Sequence, residues 1–271
     1  MGENFDCIWI TGASSGIGAE AARQFAGSMG TSKLILSARS VPKLEELKNS
    51  LPNPERITVA PLDLADSSSI QSSVEKVLSS GMTPDLVFLA GGVSQRSYIL
   101  ETSMDVDRRM MDVSYFGNVE LTKALLPAML KNGGGSFAVI SSLTGLFGYG
   151  VRSAYSASKH ALHGFYESLD VELGDRGINS TLVCPGGVQT DISINALQGD
   201  GSKTGVMDEM QSQGIPVEVA VAKMIVGIRR KKRLVIIGNK KERLGVFIHK
   251  YFPSIFFKIA AKQNPRGSVK L

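Results

Sequence analysis

Seven short apolar runs punctuate the chain, at 5–10, 33–38, 57–61, 85–89, 136–140, 178–183 and 234–237. Continuous apolar stretches of this length, rich in Ile, Val, Leu and Phe, suit strands buried on both faces. The segments between them are mostly amphipathic, beginning with a helix-like stretch that follows Gly18 and continues through Met29. This alternation predicts βαβ units with right-handed crossovers, and hence a seven-stranded, doubly wound parallel sheet with helices on both faces. Pro52-Asn53-Pro54 and Asn132-Gly133-Gly134-Gly135 read as connections, and no internal repeat or low-complexity segment interrupts the pattern. Ligands of such sheets collect beyond the carboxyl ends of the strands. Gly12, Arg39, Asp63, Ala90 and Ser142 all fall just past those ends.

At 271 residues with 43% hydrophobic content, the chain fits one α/β domain better than two. We take residues 1–238 as that domain and 239–271 as a helical extension of it. Both cysteines, Cys7 and Cys184, lie in strand-like runs, which favours buried, reduced thiols over a disulfide. The sequence shows neither a signal-peptide pattern nor an apolar run of about 18 residues, so a cytoplasmic protein is expected. The net charge of +5 is local in origin, because cations concentrate in Arg229-Arg230-Lys231-Lys232-Arg233 and Lys240-Lys241-Glu242-Arg243. No nucleic-acid-binding module accompanies them, which argues against that class of partner.

The first run is followed at once by Thr11-Gly12-Ala13-Ser14-Ser15-Gly16-Ile17-Gly18. A strand, a Gly-rich turn and a helix in this order cradle a phosphate. Glycines allow a sharp turn and close backbone approach, and the helix start offers N–H groups and a positive dipole end. Farther on, Tyr155 and Lys159 are four residues apart on a predicted helix, so their side chains share a face. A phenol with a reference pKa near ~10 serves as a neutral-pH acid or base only if its phenolate is stabilised, and Lys159 is placed to do so. Ser142 follows the fifth run, where a strand should end and place its hydroxyl at the rim of the sheet.

Taken together, these segments resemble the short-chain dehydrogenase/reductase family, a Rossmann-type fold. The resemblance spans residues 5 to about 238 and rests on Thr11 to Gly18, Asp63-Leu64, Ala90-Gly91, Ser142, Tyr155-Ser156-Ala157-Ser158-Lys159 and Pro185-Gly186-Gly187-Val188-Gln189-Thr190. The runs 94–97 and 158–165 look most like its dehydrogenase/reductase member seven branch. The resemblance implies hydride transfer between a nicotinamide cofactor and a carbonyl or alcohol, with Tyr155 as acid/base, Ser142 holding the oxygen, and Lys159 supporting the tyrosine and binding a ribose. It implies cofactor contacts at Gly12, Ser14, Ser15, Gly16, Ile17, Gly18, Asp63, Leu64, Ala90, Gly91, Pro185, Gly186, Val188 and Thr190. The polar stretch 191–215 matches the family's mobile substrate lid by position, and homodimers or homotetramers are the usual assemblies.

The cofactor choice follows from the second strand. An acid at its end holds the ribose 2′-hydroxyl of NAD, whereas a cation suits the 2′-phosphate of NADP. Here the chain supplies Arg39 and no acid, with Ser37 and Ser40 as extra hydroxyls, so NADP(H) is expected. Two departures from the family pattern stand out. Ser114 replaces the usual Asn, which implies slower or rewired proton supply, and Phe88-Leu89 replaces an Asn pair, which implies a repacked strand. His160 and His163 lack a carboxylate partner and read as packing or surface residues rather than metal ligands.

Val93, Leu143, Phe147, Tyr149, Val151, Gly187 and Ile192 are expected around a mostly apolar substrate pocket, which suits a small lipophilic carbonyl or alcohol. A 3-oxoacyl thioester reductase is an alternative, and a non-catalytic NADP-binding regulator is another of a different class. In the tail, apolar residues from Leu244 to Ile259 interleave with Lys250, Lys258 and Lys262. That composition fits peripheral membrane contact through 240–262, and equally a helix packed on the sheet or in an interface.

Overall fold

The computed structural model describes residues 4–28, 30 and 32–262. Seven strands, β1 (Cys7–Thr11), β2 (Lys33–Ser37), β3 (Ile57–Val59), β4 (Leu86–Leu89), β5 (Gly135–Ile140), β6 (Ile178–Pro185) and β7 (Leu234–Ile237), form one sheet. Its order is β3-β2-β1-β4-β5-β6-β7, and every pairing is parallel. The helices are α1 (Gly16–Gly27), α2 (Val41–Ser50), α3 (Ser67–Ser79), α4 (Met104–Met111), α5 (Gly117–Lys131), α6 (Ser153–Leu173), the short α7 (Glu209–Ser212), α8 (Val217–Arg229), α9 (Lys240–Tyr251) and α10 (Pro253–Lys262). The first helix closes at Gly27, short of the expected Met29, which lies outside the described residues.

Successive residues on a strand face opposite sides, so each apolar run serves two cores at once. Ile8, Ile10, Leu34, Leu36 and Phe88 point toward one layer with Phe25, Leu44, Met224 and Ile228 from α1, α2 and α8. Trp9, Ile35, Val87, Phe137 and Leu182 point the other way, onto Val74, Leu125, Leu162 and Tyr166 from α3, α5 and α6. The Phe88 ring meets Phe25 edge-on at 6.1 Å, so the residue standing where the family pattern has Asn is core packing. Ser37 is also committed to the interior. Its Oγ accepts from Trp9 Nε1 at 2.7 Å and donates to the Ala60 carbonyl, so it is not one of the hydroxyls offered to a cofactor.

Between α4 and α5 the chain makes a π turn over Asp112–Phe116, and α5 continues directly from it. Such bulges inside helices recur at functional sites. This one carries the buried Ser114. The two sides of the layer are joined at Tyr166, whose hydroxyl pairs with Thr122 Oγ1 at 2.7 Å and donates to the Asn118 carbonyl at 3.4 Å.

Residues 239–262 fold back over the carboxyl end of the sheet. Asn239 caps α9, and Glu242 completes the capping box by accepting from the Asn239 N–H. Pro253 opens α10, where its missing N–H costs nothing. Phe256 turns inward and meets Phe147 at 4.7 Å, in a cluster with Leu143 and Cys184. Tyr166→Phe removes the hydroxyl that joins α5 to α6 and leaves Thr122 short of a partner. It should lower stability by about 1–2 kcal/mol, read as a shift of the urea midpoint at unchanged slope.

Candidate functional site

All the strand ends named above open into one cleft of about 1230 Å³ that runs from the Gly-rich turn to the C-terminal helices. Its floor at one end is the turn between β1 and α1. Gly12 has φ +66°, and a Cβ there would lie 2.8 Å from the Gly91 nitrogen. At Gly18 a Cβ would come within 2.3 Å of the Gly12 carbonyl oxygen, so both positions exclude any side chain. Ser15 sits at the N-cap of α1 yet makes no side-chain bond to the helix, so its hydroxyl takes up none of the first-turn N–H groups. This tight turn, with free first-turn N–H groups at the start of α1, fits a pyrophosphate. The Gly91 N–H is held by Thr11 Oγ1 at 3.0 Å, which fixes the Ala90-Gly91 strand end against the turn.

Arg39 is exposed on the cleft wall, with Ser40 and Lys43 beside it. Lys43 is a second cation at this end that the sequence reading passed over. Asp63 and Leu64 also line the cleft, and Asp63 Oδ1 already accepts from the Ala65 N–H at 3.0 Å. Pro185, Gly186, Val188 and Thr190 form the opposite wall, with Thr190 methyl carbon against Gly16. Glu242 of α9 holds this wall by accepting from the Gly187 N–H at 2.8 Å. That bond ties the C-terminal extension to the candidate cofactor site, a link no sequence spacing announces.

Toward the middle of the cleft, Ser142, Tyr155 and Lys159 converge. Ser142 caps the 3₁₀ turn at Leu143–Gly145, accepting from the Thr144 N–H at 3.2 Å. Tyr155 and Lys159 lie on the first turns of α6, and Lys159 Nζ stands 5.7 Å from the tyrosine ring centre. Burial pushes the Tyr155 phenol above its ordinary value, opposed by the Arg152 charge and a hydrogen bond with Ser142. Lys159 is only 6% exposed and donates to the Ile140 carbonyl at 2.8 Å. The same desolvation lowers its ammonium to about 8.

Ser114 Oγ accepts from the Val93 N–H at 3.3 Å. A Cβ built on Gly92 would lie 3.5 Å from that oxygen and 3.6 Å from Lys159 Nζ, so the two polar heads flank one gap. One turn further along, the buried Asn118 donates from Nδ2 to the Ser114 carbonyl at 3.0 Å. Its Oδ1 has no protein partner among the described residues. An amide is therefore present near the site, displaced by four positions from where the family pattern places it.

Of the expected substrate-pocket residues, Val93, Leu143, Phe147, Tyr149 and Ile192 line the cleft. Val151 and Gly187 sit behind its wall. Val151 uses its carbonyl to accept from the Ser97 N–H at 3.1 Å, and Gly187 is covered by Met210 and Gly214. The wall also includes Leu244, Ile248, Phe256 and Ile259 from α9 and α10. His163 packs between Ser141 Oγ at 2.9 Å and Cys184 Sγ at 3.6 Å, and burial lowers it to about 4, so it is neutral. Both cysteines are free and buried, with desolvation pushing each thiol up to about 12. No cluster of metal-ligand side chains occurs among the described residues.

Comparison with known proteins agrees with this architecture. A model of the short chain dehydrogenase family matches residues 6–200. The chain is 40% identical over 263 residues to a Drosophila melanogaster protein named dehydrogenase/reductase SDR family protein 7-like, covering 94% of this chain and 79% of that one. It is 38% identical over 264 residues to dehydrogenase/reductase SDR family member 7B of Bos taurus, covering 94% and 80%. The crystal structure of a short-chain dehydrogenase from Streptomyces avermitilis superposes with a TM-score of 0.79 at 26% identity, covering 98% of this chain and all of that one. By its seven-stranded parallel sheet, its Gly-rich turn and these likenesses, the chain belongs to the short-chain dehydrogenase/reductase family of nicotinamide-dependent oxidoreductases, on its member-seven-like branch.

Proposed function

We propose that the protein is an NADP(H)-dependent oxidoreductase acting on a small lipophilic carbonyl or alcohol, with Tyr155 as its acid/base. The observation that carries this reading is the convergence of Ser142, Tyr155 and Lys159 on one cleft whose far end is the Gly-rich turn flanked by Arg39 and Lys43. The absence of an acid beside Arg39 supports NADP over NAD. When bound, the nicotinamide cofactor supplies or accepts the hydride. The remaining chemistry belongs to the chain. Ser142 holds and polarises the substrate oxygen, and Tyr155 passes a proton to it in reduction or takes one in oxidation. Lys159, fixed by the Ile140 carbonyl, places a positive charge beside the tyrosine and lowers the cost of its phenolate. Ser114, with Asn118 behind it, holds water for proton resupply.

The apolar residues Leu143, Phe147, Phe256 and Ile259 along the cleft support a lipophilic substrate. We assign residues 191–215 as the lid over it, and 239–262 as part of the same catalytic domain. An exposed row on α9 and α10 supports peripheral docking on an anionic membrane from the cytoplasmic side. Phe247 and Tyr251 are four residues apart on α9, Phe252 follows at its C-cap, and Ile255 and Phe257 lie on α10, all at least 52% exposed. Lys240, Lys250, Lys258 and Lys262 flank them, and no described helix is long and apolar enough to cross a bilayer. Self-association as a homodimer or homotetramer would use α5 and α6, where Phe116 and Val171 stay exposed.

Two measurements test the proposal. NADPH consumption across a panel of lipophilic ketones and aldehydes should fall at least about a hundredfold in Tyr155→Phe while NADPH binding by fluorescence is retained. Binding without turnover of any carbonyl by the wild type would instead favour a non-catalytic NADP-binding protein. For docking, the full chain should pellet with phosphatidylserine-containing vesicles and lose that binding when Phe252 and Ile255 are both replaced by Glu. Equal pelleting of the two proteins would place the apolar row in a protein interface instead.

A further inference from the structure

A charge cluster beside the triplet joins the 191–215 segment to α6. Arg152 stands at the N-cap of α6, three residues before Tyr155, and lines the cleft. Its guanidinium donates to Asp208 Oδ2 at 3.0 Å and to Ser94 Oγ at 3.2 Å. Arg96 reaches the same Oδ2 at 2.6 Å. The three charged side chains are only 14%, 11% and 22% exposed for Arg152, Asp208 and Arg96, unlike the solvated pairs elsewhere on the surface. Asp208 is tied from its other atoms as well. Its Oδ1 accepts from the Met210 N–H at 3.1 Å, and its own N–H donates to Ser193 Oγ at 3.1 Å. One carboxylate thus connects both legs of the segment to the loop after β4 and to the start of α6.

Two further features show that the arrangement is directed at the site. Val151, immediately before Arg152, is held at φ +56°, a left-handed conformation that a β-branched residue adopts only when its surroundings force it. Its carbonyl accepts from the Ser97 N–H, so the loop after β4 holds the backbone that aims Arg152. Two guanidiniums share one carboxylate, leaving an uncompensated positive charge against the cleft wall. That charge acts on Tyr155 in the direction opposite to its burial.

We propose that Arg152 is a positioning residue that latches the 191–215 segment to α6 through Asp208, so that one contact sets both closure over the substrate and the electrostatics of Tyr155. The inference rests on the oxidoreductase reading for its substrate, but not for the latch itself. A guanidinium suits the task because its planar fork spans Ser94 and Asp208 together, whereas an ammonium supplies charge without that geometry. Closure held in this way is released by parting Asp208 from its two guanidiniums, leaving the sheet and the cofactor cradle intact.

Hydrogen exchange of residues 191–215 tests the latch without requiring turnover. Asp208→Asn, which frees both guanidiniums, should accelerate exchange there about tenfold, Arg152→Gln should do so by less because Arg96 still holds the carboxylate, and the double variant should exceed Asp208→Asn by little. With a carbonyl that the wild type reduces, both single variants should raise KM about tenfold and leave NADPH affinity within about twofold. Arg152→Gln should also lower kcat by removing the charge beside Tyr155, and Arg152→Lys should restore kcat while keeping the raised KM. Unchanged exchange, additive effects in the double variant, or an equal loss of NADPH affinity would overturn the proposal. Failure of the wild type to reduce any carbonyl would count against the oxidoreductase reading alone, because the exchange result stands independently.

Discussion

The interaction on which the site depends is the bond from Lys159 Nζ to the Ile140 carbonyl. A lysine ammonium almost never lies in a protein interior without a partner, because desolvation costs several kcal/mol. Here the last carbonyl of β5 supplies one, at the point where the sheet stops pairing and opens its cleft. The bond fixes the first turns of α6 against the sheet edge, which sets where Tyr155 stands and how far it lies from Ser142. The same desolvation raises the tyrosine above its ordinary value and lowers the lysine to about 8, so one environment pushes the proposed acid and its supporting cation apart. Groups adjusted in opposite directions by one environment are a recurring arrangement for proton transfer near neutral pH.

Around this bond the fold places parts that are far apart in sequence. The Gly-rich turn contributes a backbone surface, α9 holds the Gly187 wall through Glu242, and the π turn carries Ser114 toward the lysine. The C-terminal helices are therefore more than an appendage, since they line the substrate end while one of their side chains holds the cofactor end. A shorter chain lacking them would lose both. Asn118, one turn beyond Ser114, carries a buried amide oxygen lacking a protein partner among the described residues.

Much of the architecture could be read from sequence because it depends on local rules. Parallel strands buried on both faces must be apolar throughout, and the positions after their ends are where the cleft opens, which is why Gly12, Arg39, Asp63, Ala90 and Ser142 were legible. Tyr155 and Lys159 were legible because helical spacing alone puts them on one face. Arg152 was three residues away on the same helix and went unnoticed, since a lone arginine at a helix start has no signature until its partner is known. Asp208 and Glu242 reach their partners across 56 and 55 residues, distances that only the folded chain defines. Ser37 was misjudged for a related reason. Its place at the end of β2 was correct, but strand alternation turns its hydroxyl into the core, toward Trp9.

The most direct test of the account is whether Lys159 is the desolvated cation described. Below about pH 8 both folded and unfolded chains carry its proton, and the folded state bears the full cost of burying the charge. Between about 8 and the ordinary 10.5 the folded protein alone releases that proton, so this group's contribution to stability improves as pH rises. The unfolding free energies of the wild type and Lys159→Met, compared at about pH 7 and about pH 10, isolate the effect. The account predicts that the variant's stability relative to wild type falls by roughly 2 kcal/mol over that range. A difference that stays constant with pH would show that Lys159 keeps an ordinary ammonium, and would contradict the account.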